Sequence, residues 1–280
     1  MRFHLLLFTF LFALNAHAET VFIYAHGLGG SQEQARKLYM RFRDEQTENK
    51  HWIIDGNVAL FDFADVLPQP NMYRRELVNL GQQADLERLH FAYQETLKRV
   101  PDAEIVLVGL SRGAATIINY VGLYKPAQLK AIVLDSPFDS FESIINQVKK
   151  IYFLQWIPQT VARSMMRMRF PSLEIDGITP SKTIHWLPIT IPTIFIHSQT
   201  DLVVPIDSSR FLFEILKNRG HKDLYLLQLP DGDHGMLMRS AHAADYEAVV
   251  HAFFARYNIV CNDKIAQLGT HRLNQCRATI

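Results

Sequence analysis

The chain has 280 residues, enough for one large domain with a developed core, and its 48% hydrophobic and 20% charged side chains exclude an intrinsically disordered segment. Its 29 basic residues are matched by 28 acidic ones, so no basic excess marks it as a nucleic-acid binder. Two cysteines are too few for a disulfide scaffold or a four-ligand zinc site, no HExxH pair is present, and no metal or organic cofactor is implied.

The chain opens with Met1-Arg2-Phe3-His4, continues with an apolar run from Leu5 to Leu14, and then reads Asn15-Ala16-His17-Ala18. One positive charge, a short apolar stretch and an Ala-x-Ala ending are the parts of an export signal with cleavage after Ala18. The run is shorter than the roughly 20 residues an anchor needs, so the expectation is a protein exported to the periplasm or secreted. In an oxidising compartment Cys261 and Cys276 are expected to form a disulfide that pins an otherwise loose C-terminal tail, residues 258–280.

Beyond residue 18, short β-branched runs alternate with amphipathic segments, the pattern of βαβ units feeding a parallel sheet. Strands are predicted at Val21–Tyr24, Asn57–Phe61, Glu104–Val108, Ala131–Leu134, Thr193–His197 and Asp223–Leu229. Helices are predicted at Gln32–Arg43, Gln83–Arg99, Ala114–Tyr124, Ser208–Arg219 and Ala243–Tyr257, where apolar residues return every three or four positions. The expected fold class is α/β, a doubly wound, mostly parallel sheet of about six strands. Between Phe138 and Ile191 about 50 residues replace a plain crossover, which reads as a helical insertion.

Gly109-Leu110-Ser111-Arg112-Gly113 follows the strand Ile105–Val108 directly and precedes the helix-prone Ala114–Ile118. A Gly-x-Ser-x-Gly between strand and helix forms a tight elbow: the glycines remove clashing side chains, and the serine is lifted to the carboxyl edge of the sheet. A serine hydroxyl becomes nucleophilic when a histidine takes its proton and a carboxylate orients that histidine. Asp201 lies on the exit loop of one later strand and His234 on the exit loop of the next, so Ser111, Asp201 and His234 meet the required order and edge. Asp207 or Ser208 is the better cap for the helix that follows, which frees Asp201. Asp135, at the exit of the strand ending in Leu134, is the alternative acid. His197 ends a core strand and reads as a packed, hydrogen-bonded residue.

Acyl transfer also needs donors for a developing oxyanion. The glycine-rich turn His26-Gly27-Leu28-Gly29-Gly30 follows the first strand, so the backbone amides of Leu28 and Arg112 form the natural pair. The turn has neither the Gly-Lys-Ser/Thr of a P-loop nor Gly-x-Gly-x-x-Gly spacing.

Taken together, His26–Gly30, Gly109–Gly113, Asp201 with Val203 and Pro205, and Asp233-His234-Gly235 resemble the α/β-hydrolase superfamily of serine hydrolases across essentially all of residues 19–280. Leu134-Asp135-Ser136-Pro137-Phe138 is similar to a segment of the small hydrolases related to prolyl oligopeptidases. The resemblance implies a nucleophile at Ser111, an acid at Asp201, a base at His234 and an oxyanion hole at Leu28 and Arg112. It departs at the front, where the two antiparallel strands that open the full family sheet have no counterpart. The insertion at 138–191 then corresponds to a cap over the site, and its Ile, Phe, Trp and Met residues suit a small-molecule or lipid-like ester. Lys149, Lys150, Arg163, Arg167 and Arg169 read as a solvated face of the cap, with contact to an anionic membrane surface or an acidic substrate group as the functional alternative. The expected activity is that of an exported carboxylesterase or lipase. A peptidase or thioesterase of the same fold, and a catalytically silent binding protein, are the alternatives; the oligomeric state is open.

Overall fold

A computed structural model describes residues 19–40, 51–67 and 72–278. The export signal at 1–18 and the last residues of the first predicted helix lie outside the described residues. Six strands, β1 (Thr20–Ala25), β2 (Asn57–Leu60), β3 (Glu104–Leu110), β4 (Leu129–Asp135), β5 (Thr193–Ser198) and β6 (Leu224–Leu229), form one sheet in the order β2-β1-β3-β4-β5-β6. Every pairing is parallel. The helices are α1 (Gln32–Tyr39), α2 (Gln83–Arg99), α3 (Arg112–Tyr124), α4 (Phe141–Ile151), α5 (Gln159–Arg169), α6 (Pro180–Thr183), α7 (Ile206–Asn218), α8 (Ala243–Arg256) and α9 (Asp263–Cys276).

Alternation along the strands divides the core between two faces. Phe22, Tyr24, Val106 and Val108 point toward α1, α8 and α9, whereas Ile23, Ile105, Leu107 and Ile132 point toward α2, α3 and α7. Both faces are covered, which is why the strands read as continuous apolar runs. A third apolar cluster, built on Leu80, Phe138, Phe141, Leu173 and Val204, joins the sheet edge to the segment carrying α4 and α5. Strand order reverses between β1 and β3, and the crevice at such a switch point is where α/β sheets place ligands.

The structure corrects two expectations at the C-terminus. The tail contains α9, begun by Asn262, whose side chain accepts from the Lys264 and Ile265 amides, and packed on α8 so closely that a Cβ at Gly269 would lie 1.9 Å from the Ala248 carbonyl oxygen. Cys261 and Cys276 are both free thiols. Cys261 lies two residues before α9 and Cys276 is its last residue, so a helix about 21 Å long separates them, well beyond the roughly 7 Å Cα separation a disulfide tolerates. At α7 the helix begins at Ile206 after Pro205, earlier than a cap at Asp207 or Ser208 would place it; Asp207 sits in its first turn and the Ser208 hydroxyl donates to Asp139 at 2.6 Å. The rigid φ of Pro205 starts the helix without a side-chain cap. With no bridge to break, reductant is expected to leave the thermal midpoint unchanged, and two thiols should titrate per chain on unfolding without reductant. A lowered midpoint in dithiothreitol, or fewer than two thiols, would contradict the free-thiol geometry.

Candidate active site

Steric crowding builds the elbow. A Cβ on Gly113 would stand 1.9 Å from the Ala25 carbonyl oxygen, and one on Gly109 would stand 2.7 Å from the Gly113 carbonyl carbon. Only glycine fits at either position, so α3 can start against the end of β1 while Ser111 turns the corner at φ 52° and ψ −111°. A serine in that region is strained, and strain of this kind persists only where neighbours over-determine it. Here the Ser111 amide donates to the Asp135 carbonyl at 2.7 Å, and the Ser111 carbonyl accepts the first α3 hydrogen bond from Ala115 at 2.9 Å.

Three side chains from three strand exits meet at this corner. Ser111 Oγ lies 2.8 Å from His234 Nε2, and His234 Nδ1 lies 2.6 Å from Asp201 Oδ2. A carboxylate only accepts, so Nδ1 carries the proton and Nε2 is free to take the one from the serine. Asp201 is fixed by the amides of Val203 and Val204, which donate to Oδ1 at 2.8 and 2.9 Å. Burial opposes its charge, yet the hydrogen bonds from His197, His234 and the Val204 amide outweigh it and hold the carboxyl well below the usual carboxylate range.

His197 is not part of this row. Its Nε2 donates to the Val204 carbonyl at 3.0 Å and stands 3.4 Å from Asp201 Oδ2, while its Nδ1 accepts from Ser209 at 2.7 Å. It braces the Asp201 loop from behind. Asp135, the alternative acid, is turned the other way: Tyr39 and Tyr246 donate to its Oδ2 at 3.0 and 3.1 Å and Ser136 to its Oδ1 at 2.8 Å. Burial pushes that carboxyl up, against the three hydroxyls that favour its charged form.

The turn after β1 is closed by the Gly30 amide on the Gly27 carbonyl at 3.2 Å, with Gly29 at φ 74°. Buried His26 anchors it: Nδ1 donates to Gly27 O at 2.8 Å, and Nε2 accepts from the Phe63 amide at 3.2 Å. Burial lowers the His26 pKa, which keeps the ring neutral for both roles. Leu28 and Arg112 both line the cleft containing Ser111 and His234. Because the first α3 bond starts at Ala115, the Arg112 amide has no intrahelical acceptor and stands at the positive end of the helix.

The Arg112 side chain has a separate task that sequence reading did not anticipate. It is only 1% exposed, donates to both oxygens of Asp85 at 2.6 and 2.7 Å, reaches Asp65 at 2.7 Å and stacks over Phe63 at 4.3 Å. Asp85 also accepts the Gly81 amide at 2.7 Å, so one carboxylate ties the start of α2 to the start of α3. No local spacing signals this pair, whose partners are 27 residues apart.

The cleft has a volume of about 290 Å³ and is mostly apolar, walled by Leu80, Leu110, Phe138, Ile144, Met166 and Phe170, with Gln34 as an added polar group. α4 and α5 supply Ile144 and Met166, so the segment at 138–191 overhangs Ser111. Its basic residues are partly neutralised within it. Arg163 pairs with Glu142 and Asp176, and Arg167 with Asp176 at 3.2 Å, acids that lie just outside the basic run.

With this geometry in hand, the sequence model of the prolyl oligopeptidase family matches residues 92–258. The uncharacterized protein YqkD of Bacillus subtilis is 30% identical over 130 residues, which are 46% of this chain and 40% of that protein. The chain therefore matches well under two thirds of that relative's length. Among solved structures, the acylaminoacyl peptidase of Pyrococcus horikoshii superposes with a TM-score of 0.59 at 15% identity, over 90% of this chain and 40% of that one. An esterase of Pyrococcus furiosus superposes with a TM-score of 0.59 at 17% identity, over 86% of this chain and 83% of that one. These likenesses establish the α/β-hydrolase fold. Removing the carboxylate that holds Arg112, with Asp85→Ala, is expected to destabilise the protein by about 3–5 kcal/mol, because a buried guanidinium loses its bidentate partner. The readout is urea unfolding; a loss below about 1 kcal/mol would mean that Asp65 alone satisfies Arg112.

Proposed function

The chain belongs to the prolyl oligopeptidase family, and from that premise we propose that it is a serine hydrolase cleaving an ester or related acyl bond of an apolar substrate. The observation that carries the reading is the unbroken row Asp201, His234, Ser111, with contacts of 2.6 and 2.8 Å. His234 Nε2 takes the Ser111 proton as Oγ attacks the acyl carbonyl carbon. The resulting oxyanion accepts hydrogen bonds from the Leu28 and Arg112 amides. As the tetrahedral species collapses, the carbon–oxygen bond to the leaving alcohol breaks and His234 returns its proton to that oxygen. Water then enters and loses a proton to His234 as its oxygen attacks the acyl carbon; the bond to Ser111 Oγ breaks, His234 returns the proton to Oγ, and the acid leaves. Throughout, Asp201 stays ionised and stabilises the imidazolium, a role that its lowered pKa suits.

The cleft chemistry favours an ester over a peptide. A peptide brings backbone N–H and C=O groups whose burial without partners costs about 1–3 kcal/mol each, and the walls named above offer few acceptors or donors. Within the same proposal, the segment at 1–18 is an export signal and the enzyme acts outside the cytosol.

Kinetics on an aryl ester test the assignment. Ser111→Ala and His234→Ala are each expected to lower kcat by about 10⁶-fold and Asp201→Asn by about 10⁴-fold, with Asp135→Asn far milder. Equal losses from the two aspartate variants, or activity surviving Ser111→Ala, would reject these roles.

A further inference from the structure

A second apolar groove, of about 600 Å³, lies between α4 and α5 beside the catalytic cleft. Ile144, Met166 and Phe170 line both spaces, so the partition between them is one layer of side chains. Away from that shared wall, the groove is lined by Ile145, Val148, Leu154, Ile157, Ala162 and Met165. The hairpin that forms it is held mainly by polar ties: Arg163 and Gln159 both reach Glu142, and Lys149 reaches Gln159 at 3.3 Å. α5 has no fully buried residue, although its sequence is amphipathic. Its apolar stripe therefore faces the groove without being sealed by the core.

We propose that this groove holds the distal part of a long acyl chain whose ester carbonyl is at Ser111, so that the substrate is a long-chain ester rather than a short one. The inference rests on the functional reading above and adds the substrate class. The shared wall is its main support, because a chain that fills the 290 Å³ cleft meets a second apolar space across Ile144, Met166 and Phe170. The partition suits such a passage. Met166 is unbranched and adopts many rotamers, and the partly buried Ile144 and Phe170 pack on the apolar cluster beneath. The groove's polar members, Arg75, Lys149 and Arg169, are cations whose methylene stems can cover an alkyl chain while their charges remain in water. A hydrocarbon needs no hydrogen-bond partners along its length, whereas a peptide segment does.

The test compares kcat/KM of the full chain for p-nitrophenyl butyrate and p-nitrophenyl palmitate. Ala162 lines the groove and not the cleft, so Ala162→Phe fills the distal space alone. The expected result is a fall of at least ten-fold in the palmitate-to-butyrate ratio. Met165→Trp should lower the same ratio, which guards against a folding defect in either variant. An unchanged ratio in both would overturn the groove while leaving the hydrolase reading intact. Failure to cleave either ester would instead remove the hydrolase reading. The groove is then judged by titrating Ser111→Ala with cis-parinaric acid, where adding Ala162→Phe should raise Kd at least ten-fold and an unchanged Kd overturns it.

Discussion

A close backbone approach governs the site: the first turn of α3 lies on the end of β1, with Gly113 against the Ala25 carbonyl. No side chain fits between them. Gly109 yields the complementary space on the β3 side, so the strand-to-helix turn is compressed until Ser111 takes a positive φ. That conformation is unfavourable for serine and needs support from outside the turn. Support comes from the Asp135 carbonyl beneath Ser111 and from Arg112, whose guanidinium is clamped to Asp85 and Asp65. Backbone proximity to β1 also brings the Leu28 turn beside Ser111. Parallel strands with a reversal between β1 and β3 then direct the exit loops of β5 and β6 to the same edge.

Two buried carboxylates show how environment sets two acids of one sheet edge apart. Asp201 and Asp135 end neighbouring segments of the same sheet edge, and both are nearly inaccessible. Asp201 receives two amides and two histidine contacts, which together overcome desolvation and keep it ionised. Asp135 receives only hydroxyls, and burial prevails. Its side chain is held by Tyr39 and Tyr246, on the sheet face that strand alternation assigns to it, and makes no hydrogen bond to His234. Choosing between these acids takes knowledge of which face each one points to.

Much of the framework is legible in the sequence because it depends on local rules. Strands buried on both faces announce themselves as apolar runs, and all six strands, the partly buried edge strand β2 included, stand where such runs are expected. The order of Ser111, Asp201 and His234 along strand exits could be read because a parallel sheet gathers its carboxyl ends on one edge. Other features depend on partners distant in sequence. The Arg112 clamp draws on Asp85, and the His26 brace on Phe63, neither of which has a signature spacing. Arg163 and Arg167 look like free charges until the fold delivers Glu142 and Asp176. In the C-terminal segment, two cysteines in a short stretch suggest a staple that the fold does not use. What orders it instead is the amphipathic α9, which begins at an asparagine cap and crosses α8 at Gly269. Only tertiary packing reveals that choice.

Whether Ser111 is an activated nucleophile is the claim on which the functional account stands. The direct measurement is to expose the folded protein to a fluorophosphonate and locate the adduct by peptide mass spectrometry. The account predicts a single adduct on the peptide containing Ser111, at a rate that collapses in His234→Ala while the fold is retained. An unlabelled Ser111 in the folded protein, or labelling that survives loss of the imidazole unchanged, would contradict it.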